Sequence, residues 1–305
     1  MLGRPYHIVG HEVQWCQLCD NHNPIAVLIL EDNIDKIVWC HLANNPYAIH
    51  LLKKYIQLVE LQGLYYICSN RNASRLIEEN IDKLRNYEMS WVFLNSNPNA
   101  ISILEKYSSY RYYKWLSKNP NAIHLLEKKK KKIDWEHLSE NPNAIHLLER
   151  NPTKINWQYL SWNENAIHLL EQNLDKVDWY NLSENDNAIS ILEKNLDKVN
   201  WRSFSMNSNA IHILEKNLDK VDWETLCINT NAVHIIEQHM ENVNWWHLSS
   251  NPNAIHLLAK LDYEKMKENM REFNQELVAY VFHPSRLTRF SIEYDIDFQK
   301  LNELY

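Results

Sequence analysis

Apolar residues in this chain return in two alternating spacings, and the alternation itself repeats. Ala144, Ile145, Leu147 and Leu148 form one stripe, with His146 and Glu149 off it. That spacing predicts a short helix burying one face. Ile155, Trp157 and Leu160 follow at intervals of two and three. Their setting, Lys-x-Asp/Asn-Trp-x-x-Leu-Ser, fits a second short helix or a single 3-10 turn. Polar residues punctuate the pattern. Asn141 stands three residues before Ala144, where its side-chain oxygen suits an N-cap. Pro142 follows at the first helical position, where Pro is favoured. The first helix is expected to run about nine residues, ending near Asn151.

The pair Asn-x-x-Ala occurs eleven times, from Asn23 and Ala26 to Asn251 and Ala254. From Ala100 to Ala254 every step is 22 residues, and the three earlier steps are 22, 25 and 27. A fixed period in this range marks a repeat array. The expected fold is all-α, an α-solenoid of about eleven short two-helix repeats. An N-terminal cap or partial repeat spans 1–22, the array 23–260 with an irregular stretch at 52–96, and a C-terminal helical cap 261–305. Trp15-Cys16-Gln17-Leu18 echoes Trp39-Cys40-His41-Leu42, which makes the start an incomplete leading unit. Capping units with polar outer faces are expected at both ends. At roughly 8–10 Å per helix layer, an open stack extends on the order of 100 Å. A leucine-rich repeat shares the period, but the alternating strand is missing: Leu160 is followed by Ser161 and Trp162, and the chain has three Gly in 305 residues.

No leader-like segment opens the sequence and no apolar run approaches membrane-spanning length, so an intracellular protein is expected. Five cysteines show no disulfide framework and fit a reducing compartment. A net charge of −7 argues against wholesale nucleic-acid binding.

The units Asn-Pro-Asn-Ala-Ile-His-Leu-Leu-Glu and Asn-Leu-Asp-Lys-Val-Asp-Trp resemble tandem repeats of proteins encoded by mimivirus-like giant DNA viruses. The closing His283-Pro284-Ser-Arg286 with Tyr294-Asp-Ile-Asp resembles the usual end of those proteins. The resemblance covers roughly 23–305 and carries no catalytic motif. It implies a viral protein placed in host cytoplasm or virion. The two lengthened repeats and the Lys128–Lys132 run, read as an insertion, depart from the unit.

Candidate chemistry is sparse. His11, Cys16, Cys19 and His22 have a zinc-like order, but Cys16 and Cys19 occupy positions the repeat explains, so no metal is expected. His50, His124, His146, His168, His212, His234 and His256 form a column too widely layered for a shared ion. It reads as a half-buried stripe bonding to the next repeat, which charging would weaken. Acidic pairs such as Glu171 and Asp175 recur in every unit and read as helix surface. With no phosphate loop and no nucleophile–base motif, neither enzyme nor cofactor is expected.

What remains is a protein-binding scaffold. The two positions after the Trp vary most between repeats, and aromatic and Arg residues there are interface anchors. The expected contact residues are Trp115, His137, Tyr159, Tyr180, Arg202, Trp246 and His247, with the aromatics partly exposed along one side. One alternative is a virion structural component. Another is a nucleic-acid-binding solenoid using Arg111, Lys114 and Lys128, Lys129, Lys130, Lys131 and Lys132. Within that patch Tyr113 falls in the Trp position and Tyr110 in that of Ile155, so both are expected to pack.

Overall fold

The computed structural model describes residues 6–8 and 13–261. The chain divides into two bodies, Gly10–Leu258 and a second made of Met1–Val9 with Ala259–Tyr305. In the second body, β1 (Tyr6–Ile8) pairs antiparallel with β2 (Ala259–Leu261), Tyr6 opposite Leu261 and Ile8 opposite Ala259. The expected C-terminal cap lies outside the described residues beyond position 261.

The first body is a helical repeat array. Each repeat has a Trp helix, such as Trp157–Trp162, then an Asn turn, then a Leu helix, such as Ile167–Glu171. Eleven such pairs run from Trp15–Cys19 with Pro24–Glu31 to Trp245–Leu248 with Ile255–Leu258. The Leu helices are shorter than expected. Asn141 does not cap the α-helix directly: its Oδ1 accepts the amide of Asn143 and closes a turn, and the helix runs only over Ile145–Glu149. Asn151 ends it by donating its side-chain amide to the Leu147 carbonyl. A 3-10 turn, Pro152–Lys154, then leads into the Trp helix, so the second half holds both forms the spacing allowed. The N-cap sits one residue before the Trp. Asn156 accepts from the Tyr159 amide, and Asp134, Asp178, Asn200, Asp222 and Asn244 do the same in their repeats.

Ala144, Leu148, Leu160 and their equivalents are fully buried between layers. The Trp position is not core. Trp135, Trp157, Trp179 and Trp201 are half-buried, and a Lys from the next repeat covers each ring, with Lys176 Nζ 4.8 Å from the Trp157 ring centre. Trp91 alone of these is buried, stacked on Tyr110 at 4.3 Å.

Polar bonds also join the repeats. The side-chain amide of Asn141 donates to the carbonyls of Ser117 and Asn119 in the preceding repeat at 2.8 and 2.9 Å. Asn143 donates to Pro120 O at 3.0 Å. Ser139 Oγ donates to Trp135 O and accepts the Asn156 amide of the following repeat. A buried amide that satisfies three backbone groups explains why Asn recurs, since an unpaired buried carbonyl or N–H costs about 1–3 kcal/mol. Cys227 stands in a Ser position, and its Sγ accepts the Asn244 amide.

The irregular stretch does not break this ladder. Asn70 donates to Ala43 O and Asn45 O, and Asn97 to Cys68 O and Asn70 O. The added residues lie between the Leu helix and the next Trp helix, where one forms the extra helix Ile81–Leu84. Leu64 takes the Trp position there. Its neighbour Gly63 allows a close approach, because a Cβ would meet Val59 Cγ1 at 2.6 Å.

The array also departs from an open stack of order 100 Å. Asn21 donates to Ser249 O and Asn251 O at 2.9 and 3.0 Å, and Asn23 to Pro252 O at 2.7 Å. The Gln14 amide donates to Ser249 Oγ at 3.2 Å. These are the bonds of the regular junctions, such as that of Asn141 and Asn143 with Ser117, Asn119 and Pro120, made between the last repeat and the first. The body is therefore a closed ring, and Asn21, not Asn23, is the first member of the Asn ladder. From Trp15–Cys19 to Trp223–Leu226 successive Trp helices pack directly on one another, whereas successive Leu helices are spaced more widely. In a closed ring the tighter row is the inner one.

Candidate partner-binding surface

The two variable positions after the Trp separate into two environments. A Trp helix buries its Leu against the neighbouring repeats, and the residue directly after the Trp points away from that side. There Lys114, Glu136, Gln158, Tyr180, Arg202 and Trp246 are exposed, Tyr180 by 53% and Trp246 by 46%. The second position faces the adjacent repeat. Trp115, His137 and Tyr159 form a column with ring centres 5.6 and 5.4 Å apart. His137, expected as a contact residue, is only 7% exposed. It is held between the two rings and by Asp134 Oδ1 at 3.1 Å from its Nδ1. Desolvation, then the Glu136 carboxylate, raises the Tyr159 phenol above its ordinary value. Further along, Asn181 Nδ2 and Thr225 Oγ1 at the same position donate to Gln158 O and Arg202 O. His247 is half-buried there, 3.8 Å from Glu224. The expected contact residues thus lie in two columns, and Tyr180 and Trp246 stand three repeats apart.

A groove of about 730 Å³ crosses several repeats near this surface. Met89, Phe93, Trp115 and Trp162 line it, with Pro98, Pro120 and Pro142 from three successive Asn turns. Met89 and Trp162 are exposed by 47% and 42%. Arg71, Lys118 and Glu140 supply its charges, Lys118 lying 3.6 Å from Glu140. Of these residues, sequence comparison singled out only Trp115. Trp162 holds a position that is Glu140, Glu184 or Met206 in other repeats. Extending the comparison to that position would have found it.

The basic–aromatic patch is partly committed to packing. Arg111, not Tyr110, takes the place of Ile155, and its Nε donates to Leu104 O at 3.1 Å. Lys132 Nζ lies over the Tyr113 ring and Lys114 Nζ over Trp115. Lys128–Lys132 is no insertion. Lys129 has φ −137° and ψ 46°, against −136° and 56° for Asn151, so the run fills the ordinary turn with Lys130–Lys132 as its 3-10 segment. All five lysines are exposed.

The histidine column is exposed and bonds backwards. Nε2 of His168, His234 and His256 lies 3.0, 2.8 and 2.7 Å from Glu149, Glu215 and Glu237 of the preceding repeat. His124 pairs with Glu105 likewise, and His50 with Glu31. A charged imidazole here meets a carboxylate, so charging does not oppose stacking as expected. At the start of the array, His11 lies outside the described residues. Cys19 is buried in a Ser position, and burial pushes its thiol up to about 12. Nearby, His41 Nδ1 meets Asp20 Oδ2 at 2.6 Å, and burial raises the Asp20 carboxyl despite that bond. Among the described residues no group of three His, Cys, Asp or Glu is placed to hold a metal ion. No described helix is long and apolar enough to cross a membrane.

No family model matches the chain, and no curated protein or solved structure matches it either.

Proposed function

We propose that this protein is a non-enzymatic scaffold that binds a protein partner in the groove over Met89, Phe93, Trp115 and Trp162. The observation carrying this reading is the conjunction of exposed large apolar side chains with a continuous groove. A soluble surface seldom leaves such side chains bare without a partner, and aromatic anchors in a pocket dominate protein interfaces. Proline-lined turns give the groove rigid walls, which limits the ordering cost of binding. Arg202, Tyr180 and Trp246, exposed elsewhere on the Trp helices, extend the surface available to a large partner. The resemblance to giant-virus repeats suggests a viral setting for that partner.

The test is affinity purification of the tagged chain from the cells that produce it, with and without nuclease. Trp162→Ala and Met89→Ala are expected to lose the captured protein while keeping the parent's helical spectrum. Capture that survives both substitutions overturns the assignment. Capture that vanishes with nuclease favours the nucleic-acid reading instead.

A further inference from the structure

We propose that the end face of the last repeat is a binding site for an Asn-x-Asn turn. Asn21 and Asn23 of the same chain fill it, and it accepts the same turn from a second copy. The site is three carbonyls and a hydroxyl: Ser249 O, Asn251 O, Pro252 O and Ser249 Oγ. Its ligand is two side-chain amides two residues apart, with a backbone N–H beside them.

Three observations support it. First, the chemistry is specific. Asn21 and Asn251 are fully buried in the filled junction, so water is excluded and the carbonyls depend on the amides there, and a carboxylate in place of either amide sets oxygen against oxygen. Second, the match is complete. Asn141 and Asn143 make the same three side-chain bonds to Ser117, Asn119 and Pro120, and the Asn156 amide makes the same bond to Ser139 Oγ. Third, this junction alone has no chain running directly from one repeat into its neighbour, since its partners are 228 to 235 residues apart. Every other junction is also held covalently, so exchange between molecules occurs here.

The two faces differ, one donating and one accepting. Such heterologous contacts propagate head to tail unless the rotation closes. In one chain the rotation closes after eleven repeats. Two open chains can instead fill each other's faces and close as a dimer. Intramolecular closure wins at low concentration because a tethered end has an effective concentration on the order of millimolar.

The test refolds the full-length chain from denaturant over a range of protein concentrations, read by size-exclusion chromatography with light scattering. Monomer alone is expected at micromolar chain, with a dimer growing in as concentration approaches the millimolar range. Closed monomer and dimer each hold one such junction per chain, so Asn21→Asp with Asn23→Asp weakens both and should raise the fraction of open chain, read as a larger hydrodynamic radius at monomer mass, by about tenfold or more. Asn23→Ala, a milder change that removes one bond, should raise it less. Chains with the double substitution, dye-labelled and refolded with excess native chain, should still enter mixed dimers, because their accepting face is intact. Absence of dimer at every concentration overturns the proposal. So does an open-chain fraction unchanged by either variant. Groove variants leave this dimer untouched, so its failure and failure of the partner-binding reading are separately visible.

Discussion

The side-chain amide of Asn21 donates a 3.0 Å hydrogen bond to the backbone carbonyl of Asn251, 230 residues further along the chain. It is the bond Asn141 makes to Asn119 only 22 residues away. One residue type, used in one way, therefore builds each junction and also closes the array. The buried Asn amide has two jobs, holding its own turn with Oδ1 and the preceding repeat with Nδ2.

Those jobs are separable by mutation. Asn185→Ala loses the turn bond to Asn187 and the 3.0 Å bond to Ser161 O. The expected loss is on the order of 3 kcal/mol, a cap's worth plus a stranded buried carbonyl. Asn185→Asp keeps the acceptor and loses only the donor. If thermal melts show Asp restoring parental stability, the inter-repeat bond carries little and the capping role suffices.

The two variable positions should respond oppositely to truncation. Tyr180 is exposed, and Tyr180→Ala is expected to stay within about 0.5 kcal/mol of the parent. His137 is enclosed by Trp115 and Tyr159, and His137→Ala should cost about 1–2 kcal/mol. Denaturant unfolding of both variants decides it. Equal effects would remove the distinction between surface and inter-repeat column.

Cys19 should resist alkylation at pH 9 in the folded chain, whereas half-buried Cys16 and Cys40 react. The thiol is pushed up to about 12 from an ordinary 9.0 by burial. Between those values the unfolded chain has released its proton and the folded chain has not. Stability is therefore whole below about pH 9 and declines as pH rises toward about 12. Mass spectrometry of iodoacetamide-treated protein locates the modified residues. Cys19 reacting as fast as Cys16 would contradict the burial.

Replacing Lys128–Lys132 with Ser tests the basic patch. Because Arg111 is bonded to Leu104 O and Lys132 covers Tyr113, no complex tighter than micromolar is expected at physiological salt even for the parent. A nanomolar complex that weakens steeply with salt and disappears in the Ser variant would reverse the ranking of partners.

The repeat period and the alternation of two short apolar segments were legible in the sequence, because burial by stacking imposes the same residues at every layer. The Asn turn was legible as a cap, since capping is local and Asn141 and Asn143 are two residues apart. Its second role was not, because Ser117 and Asn119 come near Asn141 only once two repeats stack. Recurrence of the Trp fits a core residue and a half-buried ring under a recurring Lys equally, and only packing tells them apart. Closure was the feature furthest from the sequence. Whether eleven repeats form an open rod or a ring depends on the small rotation at each junction, summed around the array. No residue pattern states that angle. The tertiary structure sets it through the tighter stacking of Trp helices over Leu helices, and brings Asn21 to Asn251.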